Sequence, residues 1–440
     1  MRSDYAENLW KGEEGFPTLY LDDVSAIPFL VNIAGVEEYQ HRARVRASEG
    51  DLFAAVTPPV PGYEVYCRDV LGLGATELVL AESVGGPLEV ARACGRGEAF
   101  RRVVARARDA GGLLIHPYMS IEPVWELAAR VGAEARVPVH VVGSPPPVTW
   151  IANDKSSFSA LVEETLGSEW LVRTEIAREP EALARHLKDI ARSSERVGLK
   201  RTRCASAMGN QVFDAAEVHS GDEGALVAVF LERTEWDGRE EVLVVAWETC
   251  ELSPSTQCWI PPRGLGAPVV EGVYEQILEG PEQVFVGSRP ASPAIGEKLR
   301  HPSMRVAAAL QERGYVGRCS FDFIVSEDGR ARFTECNGRW GGTSIPMYLV
   351  DRLVSGARPP YRAQDFVDER LAGATFAEVL RGVGDALYDP STRRGRFVFY
   401  NTGPLEGSGK LDVIALGATQ EDAEEALERE LPRLFFGQKG

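Results

Sequence analysis

The chain has 440 residues, of which 48 are basic and 65 acidic, so its net charge is −17. This length predicts roughly two to four domains, and the negative charge argues against nucleic-acid and membrane partners because phosphate backbones and anionic headgroups repel it. The seven cysteines form no CxxC pair, which argues against a disulfide framework and a zinc site. Glu7, Glu13 and Glu14 stand where a signal peptide would need an apolar run, so we expect a soluble, cytoplasmic protein.

The first part of the chain predicts a parallel α/β layer. Between residues 29 and 142, short apolar runs such as FLVNI and ELVLA alternate with longer helical patterns, which is typical of strands joined by crossover helices. The segment GSPPPV, residues 143–148, contains prolines that neither a helix interior nor a central strand tolerates. We therefore predict a first domain at residues 1–148.

The next segment predicts a helix and then a β unit. Asn153 or Asp154 is the predicted cap of the helix, because apolar residues recur after it at helical spacing. Residues 225–232, ALVAVFLE, and residues 240–248, EEVLVVAWE, flank an Asp-Gly pair and predict two strands joined by a turn.

The end of the chain predicts a small separate unit. The proline-containing segment SGARPPYRAQ and the polar segment DPSTRRGR interrupt the pattern before the runs FVFYN and KLDVIALG. An acidic helix capped near Thr419 follows. We predict a second domain at residues 149–355 and a C-terminal extension with a small α/β domain at residues 356–440.

The stretch FDFIVSEDGRARFTECNGRWGG predicts a β-hairpin with an acid in each strand. Its Asp-Gly pair, residues 328–329, is a strong signal for a two-residue turn. Counting outward from that turn places Val325 opposite Arg332 and Asp322 opposite Glu335. The two acids are therefore predicted to face each other on one side of the sheet.

Such opposed acids repel each other unless something offsets their charge. Asn337 lies two residues beyond Glu335 and so on the same side as the two acids. Two carboxylates and an amide oxygen suit Mg²⁺, which prefers oxygen ligands. The alternative from the residues alone is an exposed face on which both acids are solvated.

The segments FDF and FTECNGRWGG resemble the metal-binding signature of the ATP-grasp carboxylate-amine ligases, an Asp on one strand and Glu-x-Asn-x-Arg on the next. The resemblance implies an α/β protein of the ATP-grasp fold, with an N-terminal parallel α/β domain, ATP-grasp lobes over residues 149–355 and a small C-terminal α/β domain. It also implies that Asp322, Glu335 and Asn337 hold Mg²⁺ and that Arg339 reaches the γ-phosphate of ATP or an acyl phosphate.

Two further segments resemble the lysine elements of the same family. NDKSSFSALVEETLG resembles the first element and implies that Lys155 contacts ATP phosphates, and VGLKRTRCASAMGNQVF resembles the second and implies that Lys200 meets the α-phosphate region. The usual Gly-Gly pair of the second element is missing, so Ser206 and the backbone near Gly209 are the expected phosphate contacts. Taken alone, each lysine is more often a solvated surface charge than a functional residue, and it is their order along the chain relative to the acidic hairpin that favours the site.

The remaining expected site residues have weaker signals. The resemblance of residues 228–248 to the strand-turn-strand that contacts adenine makes Glu232 and Glu240 candidates to bind the ribose hydroxyls, although either could equally be a rim charge on an ordinary hairpin. Some members of the family have an Arg two residues before the metal-binding Asp, where this chain has Ser320, so Arg318 or Arg339 is expected to stabilise the oxyanion. Arg263 and Arg289 lie in Pro/Gly-rich segments and are candidates to bind a substrate carboxylate, although isolated arginines are more often surface residues.

The resemblance implies an ATP-dependent ligase that activates a carboxylate as an acyl phosphate and joins it to an amine. It is greatest for the stand-alone peptide ligases of antibiotic pathways, notably the pheganomycin type, so the expected substrates are an amino-acid-like carboxylate and a peptide or amino-acid amine. A monomer and a homodimer are both left open. The alternatives are an ATP-dependent phosphotransferase and a non-catalytic ATP-binding protein.

Overall fold

The computed structural model describes residues 4–28, 30, 33, 35–204, 208–280 and 283–437. The N-terminal part is a five-stranded parallel sheet in the order β3-β2-β1-β4-β5, as its alternating pattern predicts. Its strands are β1 Thr18–Leu21, β2 Leu52–Ala55, β3 Glu77–Leu80, β4 Leu113–Pro117 and β5 Val139–Val141. Its helices are α1 Asp4–Asn8, α2 Tyr63–Val65, α3 Val90–Cys94, α4 Gly97–Ala110 and α5 Glu122–Ala135, with a 3-10 helix at Val36–Arg46 and a π turn at Tyr66–Val70. The run FLVNI lies mostly outside the described residues.

The second part contains a four-stranded antiparallel sheet in the order β6-β9-β7-β8. Its strands are β6 Thr174–Ala177, β7 Arg196–Arg201, β8 Asn210–Asp214 and β9 Val242–Ala246. The helices around it are α6 Pro146–Asn153, α7 Lys155–Leu166, α8 Pro180–Ala191, α9 Ala215–Ser220 and α10 Glu223–Arg233, with a 3-10 turn at Ser168–Trp170. The predicted helix cap is Asp154, whose side chain accepts hydrogen bonds from the backbone N–H groups of Ser156 and Ser157.

The strand predicted at residues 225–232 is wrong, because this segment lies within helix α10. Its β-branched residues favour a strand locally. However, the Asp222 side chain accepts a hydrogen bond from the Ala225 backbone N–H, and Val227, Phe230 and Leu231 are buried at helical spacing. Capping and burial of one helical face therefore outweigh the local propensity.

The third part is a nine-stranded antiparallel sheet in the order β10-β14-β11-β12-β13-β16-β18-β17, with β15 paired to β14. Its strands are β10 Cys250–Leu252, β11 Pro254–Ile260, β12 Val269–Glu279, β13 Val284–Pro290, β14 Gly317–Ser326, β15 Ala331–Asn337, β16 Tyr361–Val367, β17 Phe397–Asn401 and β18 Lys410–Leu416. Its helices are α11 Pro293–Glu312, α12 Ser344–Leu353, α13 Phe376–Val383, α14 Leu405–Ser408, α15 Gln420–Glu425 and α16 Leu431–Phe436, with short turns at Glu369–Leu371, Gly384–Ala386 and Ala426–Glu430.

The C-terminal strands are continuous with the large sheet, since β16 pairs with β13. The same C-terminal part also packs on the N-terminal part. The Tyr63 hydroxyl donates a hydrogen bond to the Tyr400 carbonyl at 2.8 Å, and the Phe399 backbone N–H donates to the Tyr66 hydroxyl at 3.0 Å. One hydrophobic core contains residues of both parts. The predicted domain boundaries remain a prediction.

The β14–β15 hairpin has the predicted outer register and a different inner one. Asp322 pairs with Glu335 as predicted, but Val325 pairs with Ala331 and not with Arg332. The turn is one residue longer than predicted, because Gly329 has φ 74 and adopts the left-handed conformation that closes a three-residue loop. A bulge between the inner and outer pairs restores the register.

The helices within the described residues include none with the length and apolar character that a membrane span requires.

Candidate active site

One cavity of about 700 Å³ is lined by residues from every part of the fold. The segment after β1, the small sheet with helix α7, the large sheet, and strands β16 and β18 all contribute to it. Its polar lining residues include Tyr39, Arg42, Lys155, Lys200, Asp322, Glu335, Asn337, Arg339, Asp365, Lys410 and Asp412. The cavity therefore brings both predicted lysines and the acidic hairpin to one place.

The opposed acids of the hairpin lie on the cavity side of the sheet. Asp322 is buried, and its carboxylate accepts hydrogen bonds from the Ser255 hydroxyl at 2.6 Å and the Asn337 side-chain amide at 2.8 Å. Burial and the neighbouring Glu335 raise the pKa of Asp322 to about 6. The site thus holds more negative charge than its hydrogen-bond donors offset.

Both predicted lysines lie beside Glu335. Lys155 Nζ is 3.0 Å from Glu335 Oε2 and donates a hydrogen bond to the Cys204 carbonyl at 2.9 Å. Burial lowers the pKa of Lys200 to about 8, with Glu335 opposing the shift and Lys155 adding to it. Burial acts to raise the pKa of Glu335, but Lys155 and Lys200 hold it below its ordinary value. The two lysines therefore make Glu335 an anion inside the cavity.

Arg339 also lines the cavity, and its backbone position is set by a neighbouring contact. The Asn153 side chain accepts a hydrogen bond from the Gly338 N–H at 3.0 Å and donates one to the Gly338 carbonyl at 3.2 Å. A Cβ at Gly338 would lie 2.6 Å from Asn153 Nδ2, so a larger residue would break this contact. Gly209 lines the cavity as expected, whereas Ser206 lies outside the described residues.

Five of the expected site residues are described but do not line the cavity. Arg318 forms a buried ion pair with Glu271, and its guanidinium stacks 4.5 Å from the centre of the Trp340 ring. Arg263 pairs with Glu312 at 2.7 Å on the surface, and Arg289 pairs with Glu424 at 2.5 Å. These three arginines already have carboxylate partners within the chain.

The two acids expected at the ribose are also placed elsewhere. Glu232 is exposed near the end of helix α10, and Glu240 accepts hydrogen bonds from Arg201 and, at 2.7 Å, from the Thr202 hydroxyl. The cavity is lined instead by residues 245–250, which comprise the end of β9, the connection to β10 and the first residue of β10. In this segment, the centre of the Trp247 ring lies 4.8 Å from Lys200 Nζ. Residues 245–248 lie within the segment that the sequence analysis expected to contact adenine, but the first half of that segment is helical and not a strand.

The sequence analysis also missed a second charged group on the cavity wall. It consists of Tyr39, Arg42, Asp365, Lys410 and Asp412. Asp412 interrupts an apolar strand pattern in KLDVIAL, whereas Asp365 lies in the mixed segment YRAQDFV. The signal at Asp412 is the same one that drew attention to FDF, so it was available in the sequence.

The acidic hairpin fits a hard divalent cation. No group of three or more His, Cys, Asp or Glu side chains suitable for a metal occurs in the described part of the chain. The donor set is therefore the carboxylates of Asp322 and Glu335 with the amide of Asn337, all oxygen ligands of the kind that Mg²⁺ prefers. Burial and the neighbouring Glu335 disfavour the charged form of Asp322, a cost that a bound cation would offset.

No protein-family model and no curated protein matches the chain, but many solved structures do. N5-carboxyaminoimidazole ribonucleotide synthetase of Thermus thermophilus is 18% identical with a TM-score of 0.55, covering 97% of this chain and 100% of that one. Staphylococcus aureus N5-carboxyaminoimidazole synthetase, complexed with ADP, is 9% identical with a TM-score of 0.57, covering 96% and 99%. The biotin carboxylase domain of Hydrogenobacter thermophilus 2-oxoglutarate carboxylase, complexed with MgADP, ADP and bicarbonate, is 12% identical with a TM-score of 0.56, covering 96% and 94%.

These likenesses extend over nearly the whole of each chain compared. The sequence identities are low, so the likeness shows the fold and leaves the reaction to be argued from the site. The chain has the ATP-grasp fold, a mixed α/β architecture that combines a parallel N-terminal sheet with antiparallel sheets.

Proposed function

We propose that the protein is an ATP-dependent carboxylate-amine ligase, which activates a carboxylate as an acyl phosphate and joins it to an amine with release of ADP and phosphate. One observation carries the proposal: a single cavity contains the opposed pair Asp322 and Glu335 together with Lys155, Lys200 and Arg339. The likeness to synthetases and carboxylases with bound ADP supports a nucleotide in this cavity.

The charges in the cavity suit a nucleoside triphosphate and Mg²⁺. Lys155 and Lys200 provide positive charge for the phosphates in an otherwise acidic protein. Asp322, Glu335 and Asn337 would hold Mg²⁺, which neutralises charge on the terminal phosphates when bound. Ser206 and the backbone near Gly209 remain proposed phosphate contacts.

We propose that the base and sugar of the nucleotide bind away from Glu232 and Glu240, which do not line the cavity. Residues 245–250 connect the small and large sheets and line the same cavity as the lysines. Val245 and Ala246 are buried, and Trp247 lies against Lys200. We place the adenosine moiety along this connection, where apolar side chains and backbone groups are both available.

The remaining chemistry requires positioning and charge rather than a side-chain nucleophile. A substrate carboxylate in line with the terminal phosphate attacks it and forms the acyl phosphate. An uncharged amine then attacks the acyl carbon, and we expect Arg339, which lines the cavity, to stabilise the oxyanion of the tetrahedral intermediate. The intermediate collapses to the amide as phosphate leaves and the nitrogen loses its extra proton. We assign Arg318 no contact with the substrate, because its guanidinium is paired with Glu271 and stacks on Trp340.

The finer proposal concerns the substrates and the setting. On the resemblance in its sequence motifs, the protein joins a nonproteinogenic, amino-acid-like carboxylate to a peptide or amino-acid amine in an antibiotic pathway of the cytoplasm. The size and mixed lining of the cavity support substrates of this class.

Trapping with hydroxylamine tests the reaction class. The full-length protein is incubated with MgATP, a panel of carboxylates and hydroxylamine, and both ADP and hydroxamate are measured. A ligase yields hydroxamate only when ATP and its carboxylate are both present. A stable phosphorylated product without hydroxamate would identify a phosphotransferase, and ATP binding without carboxylate-dependent ADP release would identify a non-catalytic protein.

A further inference from the structure

The cavity contains a second pair of directly opposed acids. Asp365 on β16 faces Asp412 on β18 in the antiparallel register, and both residues line the cavity. The Asn401 side-chain amide donates a hydrogen bond to Asp412 Oδ2 at 3.0 Å. The second pair therefore repeats the arrangement of the acidic hairpin in the C-terminal part of the same sheet.

One lysine belongs to this pair and offsets only part of its charge. Lys410 Nζ lies 2.7 Å from Asp365 Oδ2 and also contacts the Tyr39 hydroxyl. Asp412 is 2% exposed, and its Oδ1 has no hydrogen-bond donor among the described residues. Burial and the proximity of Asp365 raise the pKa of Asp412 to about 7. The pair thus offers a ligand an acceptor that the protein itself does not satisfy.

A cation without a hydrogen-bonded carboxylate lies in the same wall. Arg42 is 6% exposed and stacks 4.5 Å from the centre of the Tyr39 ring and 5.3 Å from that of Tyr118. Its Nε donates to the Tyr39 carbonyl at 3.2 Å, and that is its only hydrogen bond to the described residues. The Asp22 carboxylate is 3.8 Å from Nε and hydrogen-bonds to Arg46 instead. The fork of the Arg42 guanidinium therefore remains available to a carboxylate.

We propose that this wall is the binding site for the amine substrate, and that this substrate carries an amino-acid head group with a free carboxylate. Its ammonium is bound by Asp412 and Asp365, and its carboxylate by Arg42. The assignment to the amine substrate rests on the proposed ligase function. The carboxylate to be activated must lie near Lys155 and the acidic hairpin, whereas an amine acceptor keeps its own carboxylate and needs a separate cation to bind it.

The cluster does not suit a divalent metal. The Lys410 ammonium already lies at Asp365, and a divalent metal bound at the pair would leave the fork of Arg42 without a partner. A ligand with one positive and one negative group fits better, because each of its charges meets an opposite one. The Tyr39 and Tyr118 rings would hold the guanidinium in place for that contact.

The test uses the wild-type protein, three variants and modified ligands. Asp412→Asn removes the charge and keeps the side-chain shape, Arg42→Lys keeps the charge and removes the fork, and Glu425→Gln removes one charge from the exposed Glu425–Arg429 pair as a control. Calorimetry without ATP measures binding of free amino acids and dipeptides, their N-acetyl derivatives, which lack the ammonium, and their methyl esters, which lack the carboxylate. Thermal unfolding checks that each variant is folded.

Asp412→Asn should weaken binding of the free ligand by about 10- to 100-fold, the usual range for a hydrogen bond to a charged group. The N-acetyl derivative should bind this variant and the wild-type protein equally well, because it has no ammonium group for Asp412 to bind. Arg42→Lys should weaken binding of the free ligand by the same factor and leave binding of the methyl ester unchanged, because the ester has no carboxylate for Arg42 to bind. If the wild-type protein binds the derivatives as well as the free ligand, the site is rejected, and this result needs no variant that might fail to fold.

Turnover then separates this site from the proposed function. Hydroxylamine replaces the amine substrate, so the ratio of kcat/KM for the amine to that for hydroxylamine should fall about 10- to 100-fold in Asp412→Asn and stay constant in Glu425→Gln. A rise in the KM for the carboxylate alone would overturn the assignment to the amine. Absence of hydroxamate with every carboxylate would reject the ligase proposal, while the calorimetry would still decide whether the wall binds an amino acid.

Discussion

The pair Asp322–Glu335 and the pair Asp365–Asp412 share one local design and differ in the origin of their cations. Each pair is directly opposed across antiparallel strands of the same sheet and receives a hydrogen bond from an Asn side chain. The first pair is balanced by Lys155 and Lys200, which come from other elements of the fold.

The charge of the second pair is offset in part by Lys410, which lies two residues from Asp412 on the same face of β18. Lys410 stays beside its pair as long as β18 is formed, whereas Lys155 and Lys200 belong to helix α7 and strand β7 of another part of the fold. The comparison therefore predicts that the first pair serves phosphate chemistry, while the lysine of the second pair is needed for stability.

The largest expected effect follows from removing charge at the first pair. Glu335→Gln should lower ATP-dependent turnover by about a thousandfold, equal to about 4 kcal/mol, because a metal contact worth several kcal/mol is lost. The fold should persist, since the change relieves the repulsion with Asp322. Glu327→Gln, at the exposed tip of the hairpin, is the matched control for steady-state kinetics. Full activity of Glu335→Gln would refute the metal site.

The two lysines should separate activity from stability. Lys410→Met removes the cation that lies between two mostly buried acids and should reduce the free energy of unfolding by about 3 kcal/mol. Lys155→Met should reduce it by only about 1 kcal/mol, because Lys200 still faces Glu335, yet it should abolish turnover. Urea unfolding and kinetics of both variants measure this contrast. Equal losses of stability would show that the two pairs do not differ as inferred.

The second pair should also make stability depend on pH. The pKa of Asp412 is about 7 in the folded protein and near its ordinary 3.8 when unfolded, so the folded state binds the extra proton between these values. Protonated Asp412 therefore adds to the free energy of unfolding at low pH, and this contribution is lost progressively as the pH rises from 3.8 to about 7. Wild-type protein should therefore lose about 2 kcal/mol relative to Asp412→Asn between about pH 5 and pH 8.

This pH dependence arises from the burial of Asp412 and from Asp365, which raise its pKa, against Lys410, Arg42 and Asn401, which lower it. Urea unfolding of both proteins at each pH measures the difference, which cancels all titrations that they share. A difference that stays constant with pH would mean that Asp412 is already ionised in the folded protein at the lowest pH of the series.

The smallest effects are expected at the arginines that the sequence suggested as substrate contacts. Arg263→Gln should change the KM for either substrate less than about twofold, because its pair with Glu312 is solvent-exposed and such pairs contribute little. Arg289→Gln should behave similarly, since Glu424 already binds the guanidinium. A larger rise in KM for one substrate would return that arginine to the binding site.

Part of the site was predictable because its signal is local. The acids of FDF and FTECN lie on strands joined by a short turn, so their pairing could be counted from the sequence, and the structure places Asp322 opposite Glu335 as predicted. The inner register differed because a Gly in the left-handed conformation lengthened the turn and a bulge compensated for it. Two local irregularities thus cancelled before the functional pair.

The sequence by itself determined the opposition of Asp322 and Glu335 and a helix that begins after residues 153–154, because both depend on hydrogen bonds and side-chain periodicity within neighbouring residues. The alternation of strand and helix patterns also indicated the parallel N-terminal layer. Only the tertiary structure decided that residues 225–232 are helical and that Asp365 meets Asp412 beside Arg42. These features depend on which buried faces pack together and on pairing between strands that are distant along the chain. Non-local packing of that kind leaves no countable spacing in the sequence.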